Sequence, residues 1–203
     1  MEPAHYFNAE PDVPDARKPL DVVLDGRPVK LTTSSGIFSP DGIDKGTAVL
    51  LGEAPDPAGQ GHLLDIGCGW GPIALTMALR SPEATVHAVD VNTRSVALTR
   101  DNASALGLSN VVAGLPGEVD PELRFATIWS NPPIRIGKQA LHELLLTWLP
   151  RLAVGGDAWL VVQKNLGADS LQRWLADELG DAFEVAREAT SKGFRLLRVT
   201  RMR

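Results

Sequence analysis

Short apolar runs alternate with segments of helical periodicity along the chain from His62 onward. This alternation predicts an α/β fold, because each strand of a parallel sheet returns through a helix that covers one face of the sheet. Between residues 182 and 201, two apolar runs leave no room for a helix. They must form a hairpin, so the last strand is antiparallel to a neighbour. The seven predicted strands lie near residues 62–66, 84–90, 109–113, 125–130, 157–162, 182–188 and 194–201.

The N-terminal part of the chain has a different pattern. Residues 1–19 are rich in proline and acidic residues and predict an extended arm. Two apolar runs joined by an Asp-Gly pair predict a β-hairpin over residues 20–31, and a short helix is expected over residues 45–53. We expect the arm, the hairpin and the following segment, residues 1–55, to pack on a main α/β domain of residues 56–203.

The composition is that of an ordinary globular protein, with 203 residues and 44% hydrophobic content. No apolar run approaches the length of a membrane-spanning helix, and the N-terminus lacks the layout of a signal peptide. We therefore expect a soluble, cytoplasmic protein. Cys68 is the single cysteine, which excludes an internal disulfide, and its place between two glycines favours a packing role. The histidines show no metal-ligand spacing, so no metal site is predicted.

Candidate chemistry begins with Asn131-Pro132-Pro133-Ile134, which follows the apolar run 125–129. Prolines supply no backbone N–H, so this segment accepts hydrogen bonds but hardly donates them. A residue that precedes proline is extended, which aims the Asn131 side chain and the Pro132 carbonyl outward together. Two adjacent acceptors at the end of a strand suit the two hydrogens of an amino group, although Asn-Pro is also a common turn signal.

A glycine-rich turn at Gly67, Gly69 and Gly71 follows the apolar run 62–66 and precedes a helical pattern that opens with Pro72. Glycines permit positive φ and close approach of a ligand, and a strand-to-helix turn of this kind suits a nucleotide-like ligand. A phosphate-binding P-loop would need a Gly-Lys-Ser/Thr sequence, and the chain has none. A dinucleotide-binding motif would need glycine at the position of Pro72.

Asp90 ends the next predicted strand, nineteen positions after Gly71. An acidic residue at this place can accept both hydroxyls of a ribose. Asn92 or Thr93 could cap the helix that follows, which would leave Asp90 for a ligand.

Together these motifs resemble the class I S-adenosylmethionine-dependent methyltransferases. That resemblance implies a Rossmann-like fold: a seven-stranded, mostly parallel sheet with an antiparallel last strand and helices on both faces, here with an N-terminal β-hairpin extension. More narrowly, the chain resembles the small-domain group that methylates guanine N2 in 16S ribosomal RNA. The resemblance extends over about residues 20–200 and is carried by segments 36–47, 65–71, 88–92, 131–138 and 161–167.

The resemblance implies that S-adenosylmethionine is the cofactor and that Asn131, Pro132 and Pro133 are catalytic. Asp65 would fix the glycine turn or reach the ammonium group of the cofactor, and Asp90 would hold its ribose. The implied cofactor-binding residues are Phe38, Thr47, Asp65, Gly67, Cys68, Gly69, Gly71, Asp90, Val91 and Asn131. The implied substrate-binding residues are Ile134, Arg135 and Lys138. The expected partner is RNA, either small-subunit ribosomal RNA or the 30S particle, and the protein is expected to be a monomer or a homodimer.

Two positions qualify the resemblance. The family usually places a short acidic segment near the adenine ring, at the position of residues 114–118. Here Glu118 is the single acidic residue of that segment. Backbone groups could therefore recognise adenine instead. Ile134 lacks the aromatic ring that relatives acting on adenine or glutamine often carry, and this argues against adenine. The alternatives are methylation of adenine N6 or of protein glutamine, binding of the cofactor without catalysis, and a nicotinamide-dependent oxidoreductase.

The net charge of −5 argues against a general nucleic-acid coat. The last twelve residues nevertheless contain five basic residues and no acidic one, namely Lys192, Arg195, Arg198, Arg201 and Arg203. This basic segment either contacts RNA phosphates or forms a charged edge strand that is protected from aggregation. The pattern alone leaves both interpretations open.

Overall fold

The computed structural model describes residues 12–203, so residues 1–11 of the predicted arm lie outside the described part of the chain. The strands are β1 (Lys18–Leu24), β2 (Arg27–Thr33), β3 (His62–Ile66), β4 (Thr85–Val89), β5 (Val111–Gly114), β6 (Phe125–Ser130), β7 (Leu152–Gln163), β8 (Phe183–Ser191) and β9 (Phe194–Arg201). The α-helices are α1 (Lys45–Glu53), α2 (Pro72–Arg80), α3 (Thr93–Ala105), α4 (Lys138–Trp148) and α5 (Ala168–Leu179). Within residues 12–203, none of the helices combines the length and the apolarity that crossing a bilayer requires.

The main sheet contains seven strands in the order β5-β4-β3-β6-β7-β9-β8. The pairs among β5, β4, β3, β6 and β7 are parallel, whereas β9 is antiparallel to both β7 and β8. The predicted α/β fold with a C-terminal hairpin is therefore confirmed. The interpretation of the basic C-terminal segment as an edge strand is wrong, because β9 lies inside the sheet and β8 forms the edge.

The start of β7 differs from the prediction. It begins at Leu152 rather than near residue 157, and its register against β6 shifts between Phe125 and Thr127. Gly156 lies in this irregular part: a Cβ there would be only 2.8 Å from the carbonyl oxygen of Ala126. The close backbone approach requires glycine, and a glycine interrupts the apolar pattern from which strands are predicted.

Helices cover both faces of the main sheet because successive strand residues point to opposite sides. Leu63 of β3 packs in one cluster with Ile73 of α2, and α1 contributes to the same cluster. Leu64 packs on the other face with Leu145 of α4 and Leu171 of α5. Burial on both faces explains why these strands are apolar nearly throughout.

The N-terminal hairpin β1–β2 forms its own small sheet and packs beside the glycine-rich turn. Leu24 and Ile37 are fully buried in a third cluster with Trp70. Asn102 of α3 joins these parts, since its side chain accepts from Thr32 N (2.8 Å) and donates to the Trp70 carbonyl (2.9 Å). The extension is thus fastened directly to the segment that follows β3.

Candidate active site

A cavity of about 340 Å³ opens at the carboxyl ends of the parallel strands. A smaller cavity of about 20 Å³ shares four lining residues with it, namely Phe38, Asp44, Gly67 and Asn131. In an open α/β sheet, ligands bind outside the carboxyl ends of the strands, so the two cavities lie where the fold favours a site.

The glycine-rich turn leads from β3 into α2. Gly67 has φ of 80° and lines both cavities, and a Cβ at this position would meet no protein atom within 4 Å. A side chain here would enter cavity space, so glycine keeps that space open. Gly71 serves a different purpose: a Cβ there would lie 3.2 Å from both Leu75 and Thr99. Gly71, with φ of 101°, is the N-cap residue of α2. It lines neither cavity, so its role is to start the helix.

Asp65 lies beneath this turn. It is fully buried, and its Oδ2 accepts from Ala74 N at 3.0 Å in the first turn of α2. Burial raises the pKa of the Asp65 carboxyl to about 8. Its Oδ1 has no hydrogen-bond partner within residues 12–203. Asp65 therefore holds the turn, and it lines neither cavity.

Asp90, at the end of β4, lines the large cavity. Its Oδ2 accepts from Gly69 N (3.0 Å) and its Oδ1 from Asn92 N (2.9 Å). Burial raises the pKa of the Asp90 carboxyl, and the backbone hydrogen bonds oppose that rise. The helix cap is Asn92, which accepts from Arg94 N and Ser95 N. Asp90 is thus anchored by the backbone, and its carboxyl lies in the wall of the large cavity.

Asn131 follows β6 and lines both cavities. Its Nδ2 donates to Asp44 Oδ2 (2.9 Å) and to Thr47 Oγ1 (3.1 Å). An ionised carboxylate only accepts, so Asp44 fixes which end of the amide faces it. Asn131 Oδ1 receives no hydrogen bond from the described part of the chain and is available as an acceptor.

The Pro132 carbonyl, the second predicted acceptor, already receives a hydrogen bond from Ile134 N (2.8 Å). Pro133 between them has φ of −74° and ψ of 79°, the geometry of an inverse γ-turn. A carbonyl oxygen has two lone pairs, so one remains for a second donor. The turn therefore fixes the direction of the Pro132 carbonyl and leaves it able to accept a second hydrogen bond.

Asp44 is the main site residue that the sequence analysis missed. It caps α1, since its Oδ2 accepts from Gly46 N (2.7 Å) and Thr47 N (3.3 Å) in addition to Asn131. Gly46 allows this close arrangement: a Cβ there would lie 3.0 Å from the Phe194 ring and 3.3 Å from Asn131 Nδ2. An acidic residue directly before a predicted helix is the signal of such a cap, but its contact with Asn131 depends on the tertiary fold.

The other end of the large cavity is mainly apolar. Its lining there comes from separate elements: Ile134, Leu144, Trp148, Gln163, Leu166 and Phe194. Apart from Ile134, none of these was predicted as a site residue. The local sequence pattern around each of them is typical of an ordinary core or surface position. Trp148 combines both roles, since it is buried in the core and also lines the cavity.

The structure brings most of the predicted site residues together. The large cavity is lined by Phe38, Gly67, Asp90, Val91, Asn131, Pro132, Pro133, Ile134 and Arg135. The small cavity is lined in addition by Thr47, Cys68 and Gly69. The residues that line neither are Asp65, Gly71 and Lys138. Within residues 12–203, no group of three or more histidine, cysteine, aspartate or glutamate side chains could hold a metal ion.

Glu118 does not line either cavity. Its Oε2 accepts from Leu115 N (2.8 Å) and closes a 3-10 turn over Pro116–Glu118. Pro116 lines the large cavity instead, so this side of the site presents an apolar ring and not a carboxylate.

The arginines of β9 are engaged by the protein itself. Arg195 forms an ion pair with Asp169 (2.7 Å) and Arg198 with Glu188 (3.0 Å). Arg201 donates to the carbonyl of Leu152 (2.7 Å). These contacts do not favour the interpretation that β9 is an RNA-binding strand.

The fold and site define an α/β protein with a nucleotide-type cavity, in which a glycine-rich turn, a strand-end acid and an oriented asparagine meet. The chain belongs to the methyltransferase small domain family, whose sequence profile matches residues 28–198. The uncharacterized protein YbxB of Bacillus subtilis is 34% identical over 201 residues, which cover 98% of both chains. Ribosomal RNA small subunit methyltransferase C of Pseudomonas entomophila is 36% identical over 192 residues, which cover 90% of this chain and 54% of the relative.

Among solved structures, the 16S rRNA N2 methyltransferase of Thermus thermophilus, in complex with AdoMet and guanosine, has a similar fold. The TM-score is 0.71 with 22% identity, over 94% of this chain and 52% of that one. TrmN from Thermus thermophilus matches with a TM-score of 0.55 and 25% identity. The match covers 77% of this chain and 48% of the TrmN chain. The chain thus spans about half the length of the ribosomal RNA methyltransferase relatives that it matches.

Proposed function

We propose that this protein transfers a methyl group from S-adenosylmethionine to an exocyclic amine, and that the amine is N2 of guanine in small-subunit ribosomal RNA. The orientation of Asn131 is the observation that carries the choice of an amine. Asp44 and Thr47 take both hydrogen bonds from its Nδ2, so Oδ1 is left to accept an N–H from a ligand in the cavity. The names of the ribosomal RNA relatives support the substrate class.

The residues present fit the cofactor. Gly67 keeps open a space at the turn, and Asp90 offers acceptor lone pairs for the ribose hydroxyls. Phe38 and Val91 are exposed apolar side chains that line the same cavity and would cover the adenosine part. When bound, S-adenosylmethionine supplies a methyl group that the adjoining sulfonium makes electrophilic.

The protein promotes methyl transfer by orienting the target amine with two hydrogen-bond acceptors. The N2 lone pair of guanine is delocalised into the ring, which makes this nitrogen a poor nucleophile. Asn131 Oδ1 and the Pro132 carbonyl each accept one N–H, which favours a pyramidal nitrogen with its lone pair directed away from both acceptors. As the nitrogen gains a methyl group it becomes positively charged, and both acceptors bind this charge more strongly than the neutral amine. The nitrogen then releases a proton to water, so no side-chain base is needed.

The apolar end of the cavity supports a planar base as the substrate. Ile134, Leu144 and Leu166 supply aliphatic surface, and Trp148 and Phe194 supply aromatic surface. A base held there must be unpaired or flipped out, because a base stacked inside a duplex cannot enter a cavity lined by the protein. Methylation of adenine N6 or of a glutamine amide uses the same pair of acceptors and is the alternative that the experiment below separates.

The test is transfer of labelled methyl groups to unmodified ribosomal RNA, both naked and as 30S particles, followed by mass spectrometry of the nucleosides. We expect N2-methylguanosine with the wild-type protein and about 10²-fold slower formation with Asn131→Ala, the scale of losing one preorganised polar contact. Gln139→Ala, which removes an exposed amide on α4, is the matched control and should retain full activity. N6-methyladenosine as the product would assign the alternative base. Transfer to no RNA, with the cofactor bound, would refute the proposal and direct the search to protein glutamine.

A further inference from the structure

Five basic side chains around the large cavity have no ion-pair partner within residues 12–203. They are Lys45, Arg135, Lys138, Lys164 and Lys192. All five are exposed. We call them the cationic rim. The arginines of β9 differ, because they are held by Asp169, Glu188 and a backbone carbonyl.

The rim residues come from segments that line the cavity. Arg135 is itself a lining residue, and Lys138 begins α4 three positions later. Lys164 follows the lining residue Gln163, and its N donates to the Gly193 carbonyl at 2.9 Å. That contact places the turn containing Lys192 beside Lys164.

Lys45 completes the rim. It lies between Asp44, which lines both cavities, and Gly46, which packs against the Phe194 ring. It opens α1, which packs on one face of the sheet, whereas Arg135 and Lys138 lead into α4 on the other face. The segments that carry these cations therefore reach the cavity from both faces of the sheet.

This placement contrasts with the charge of the whole protein, which is −5. The acidic groups of the site, Asp44 and Asp90, accept hydrogen bonds from backbone and side-chain donors, which offset part of their negative charge. A local cationic field on an acidic protein selects where an anionic polymer can approach. Lysine and arginine that lack intramolecular partners are also free to release counterions from phosphates, which is the main source of nucleic-acid affinity.

We propose that the cationic rim binds the phosphates on both sides of the nucleotide whose base enters the cavity. This inference rests on the proposed function, because it takes RNA as the substrate. Phosphate contacts position a strand without reading its sequence. The rim would thus hold a single-stranded or locally opened segment, and the cavity alone would choose the base.

The test is fluorescence anisotropy of a labelled single-stranded RNA oligonucleotide with one central guanine, titrated with the full chain at several KCl concentrations. Each phosphate contact to a single strand contributes about 0.7 to the slope of log affinity against log salt, or about fivefold in affinity per tenfold change in salt. We expect Lys164→Gln/Lys192→Gln to reduce the slope by about 1.4. If the variant and the wild type bind equally at about 1 M salt, where the phosphate contacts are screened, this slope corresponds to an affinity about 25-fold lower at about 0.1 M salt. Affinity for S-adenosylmethionine, measured by calorimetry, reports whether the cavity is intact.

The matched control is Arg27→Gln/Lys30→Gln, which removes from the β1–β2 hairpin two exposed charges that form no ion pair with residues 12–203. An equal loss of RNA affinity in this control would show a general charge effect and would overturn the proposal, as would an unchanged salt slope in the rim variant. Binding of an acidic peptide as tight as that of RNA, with the same dependence on Lys164 and Lys192, would also overturn it. The readout is binding, so rim-dependent RNA binding without methyl transfer would refute only the proposed function.

Discussion

Asp44 should control turnover through its contact with Asn131, in addition to capping α1. Its Oδ2 accepts from two backbone N–H groups of α1 and from Asn131 Nδ2. Asp44→Ser separates these roles. Serine caps a helix about as well as aspartate, but its shorter side chain cannot reach Asn131.

The magnitude follows from the lost contact. A hydrogen bond to a charged group is worth about 1.5–3 kcal/mol, and about 1.4 kcal/mol corresponds to tenfold in rate. Thr47 still accepts from Asn131 Nδ2 in the variant, so the lower end applies. We expect kcat to fall about tenfold in Asp44→Ser, with a loss of unfolding free energy of about 1.5 kcal/mol, because the folded protein loses the same hydrogen bond. Initial rates at saturating S-adenosylmethionine and thermal unfolding measure the two quantities.

A double-mutant cycle decides whether Asp44 acts through Asn131. Once Asn131→Ala has removed the amide, Asp44→Ser should slow the reaction no further. Asp44→Asn should be intermediate, because an amide oxygen in the same place still accepts, but without charge. Independent effects that multiply in the double variant would refute this reasoning, and so would a wild-type kcat in Asp44→Ser.

Two further predictions concern buried positions. The Asp65 carboxyl has its pKa raised to about 8, so the folded protein retains a proton that the unfolded chain loses near the ordinary value of 3.8. Stability of the cofactor-free protein should therefore fall as pH rises from about 4 to about 8. Asp65→Asn should gain stability over the wild type across this range, and a difference in melting temperature that stays constant with pH would contradict the assignment. Gly156→Ala should cost about 1–3 kcal/mol, because its Cβ would lie 2.8 Å from a backbone oxygen. Gly52→Ala, in α1 with open space around it, should gain about 0.5–1 kcal/mol, and chemical denaturation that ranks the two glycine variants the other way would contradict the packing argument.

The fold was predictable because the strands are buried on both faces and are therefore apolar nearly throughout, and because α1 and the hairpin have local signals. The predicted bounds of α1 agree with the structure, 45–53 in both. The early start of β7 was not predictable, since it depends on a backbone contact across the sheet at Gly156.

The lining of the cavities was predictable where one segment supplies it, as in the glycine turn and Asn131-Pro132-Pro133. It was not predictable where distant segments meet. Phe194 and Gln163 face the cavity only because β9 pairs with β7 in this register. Arg195 and Arg198 of β9 are held by ion pairs to α5 and β8 that no local pattern indicates.

The contact between Asp44 and Asn131 joins a strand of the main sheet to a segment outside that sheet. Asn131 directly follows β6, a central strand of the main sheet, whereas Asp44 belongs to the segment that follows the N-terminal hairpin. Local opening of that segment would withdraw Asp44 and Thr47 and so release the Asn131 amide. We therefore expect the fraction of competent molecules to follow the free energy of this opening, which cannot exceed that of complete unfolding. Amide hydrogen exchange at Gly46 and Thr47 should consequently report the catalytically competent population better than the melting temperature does.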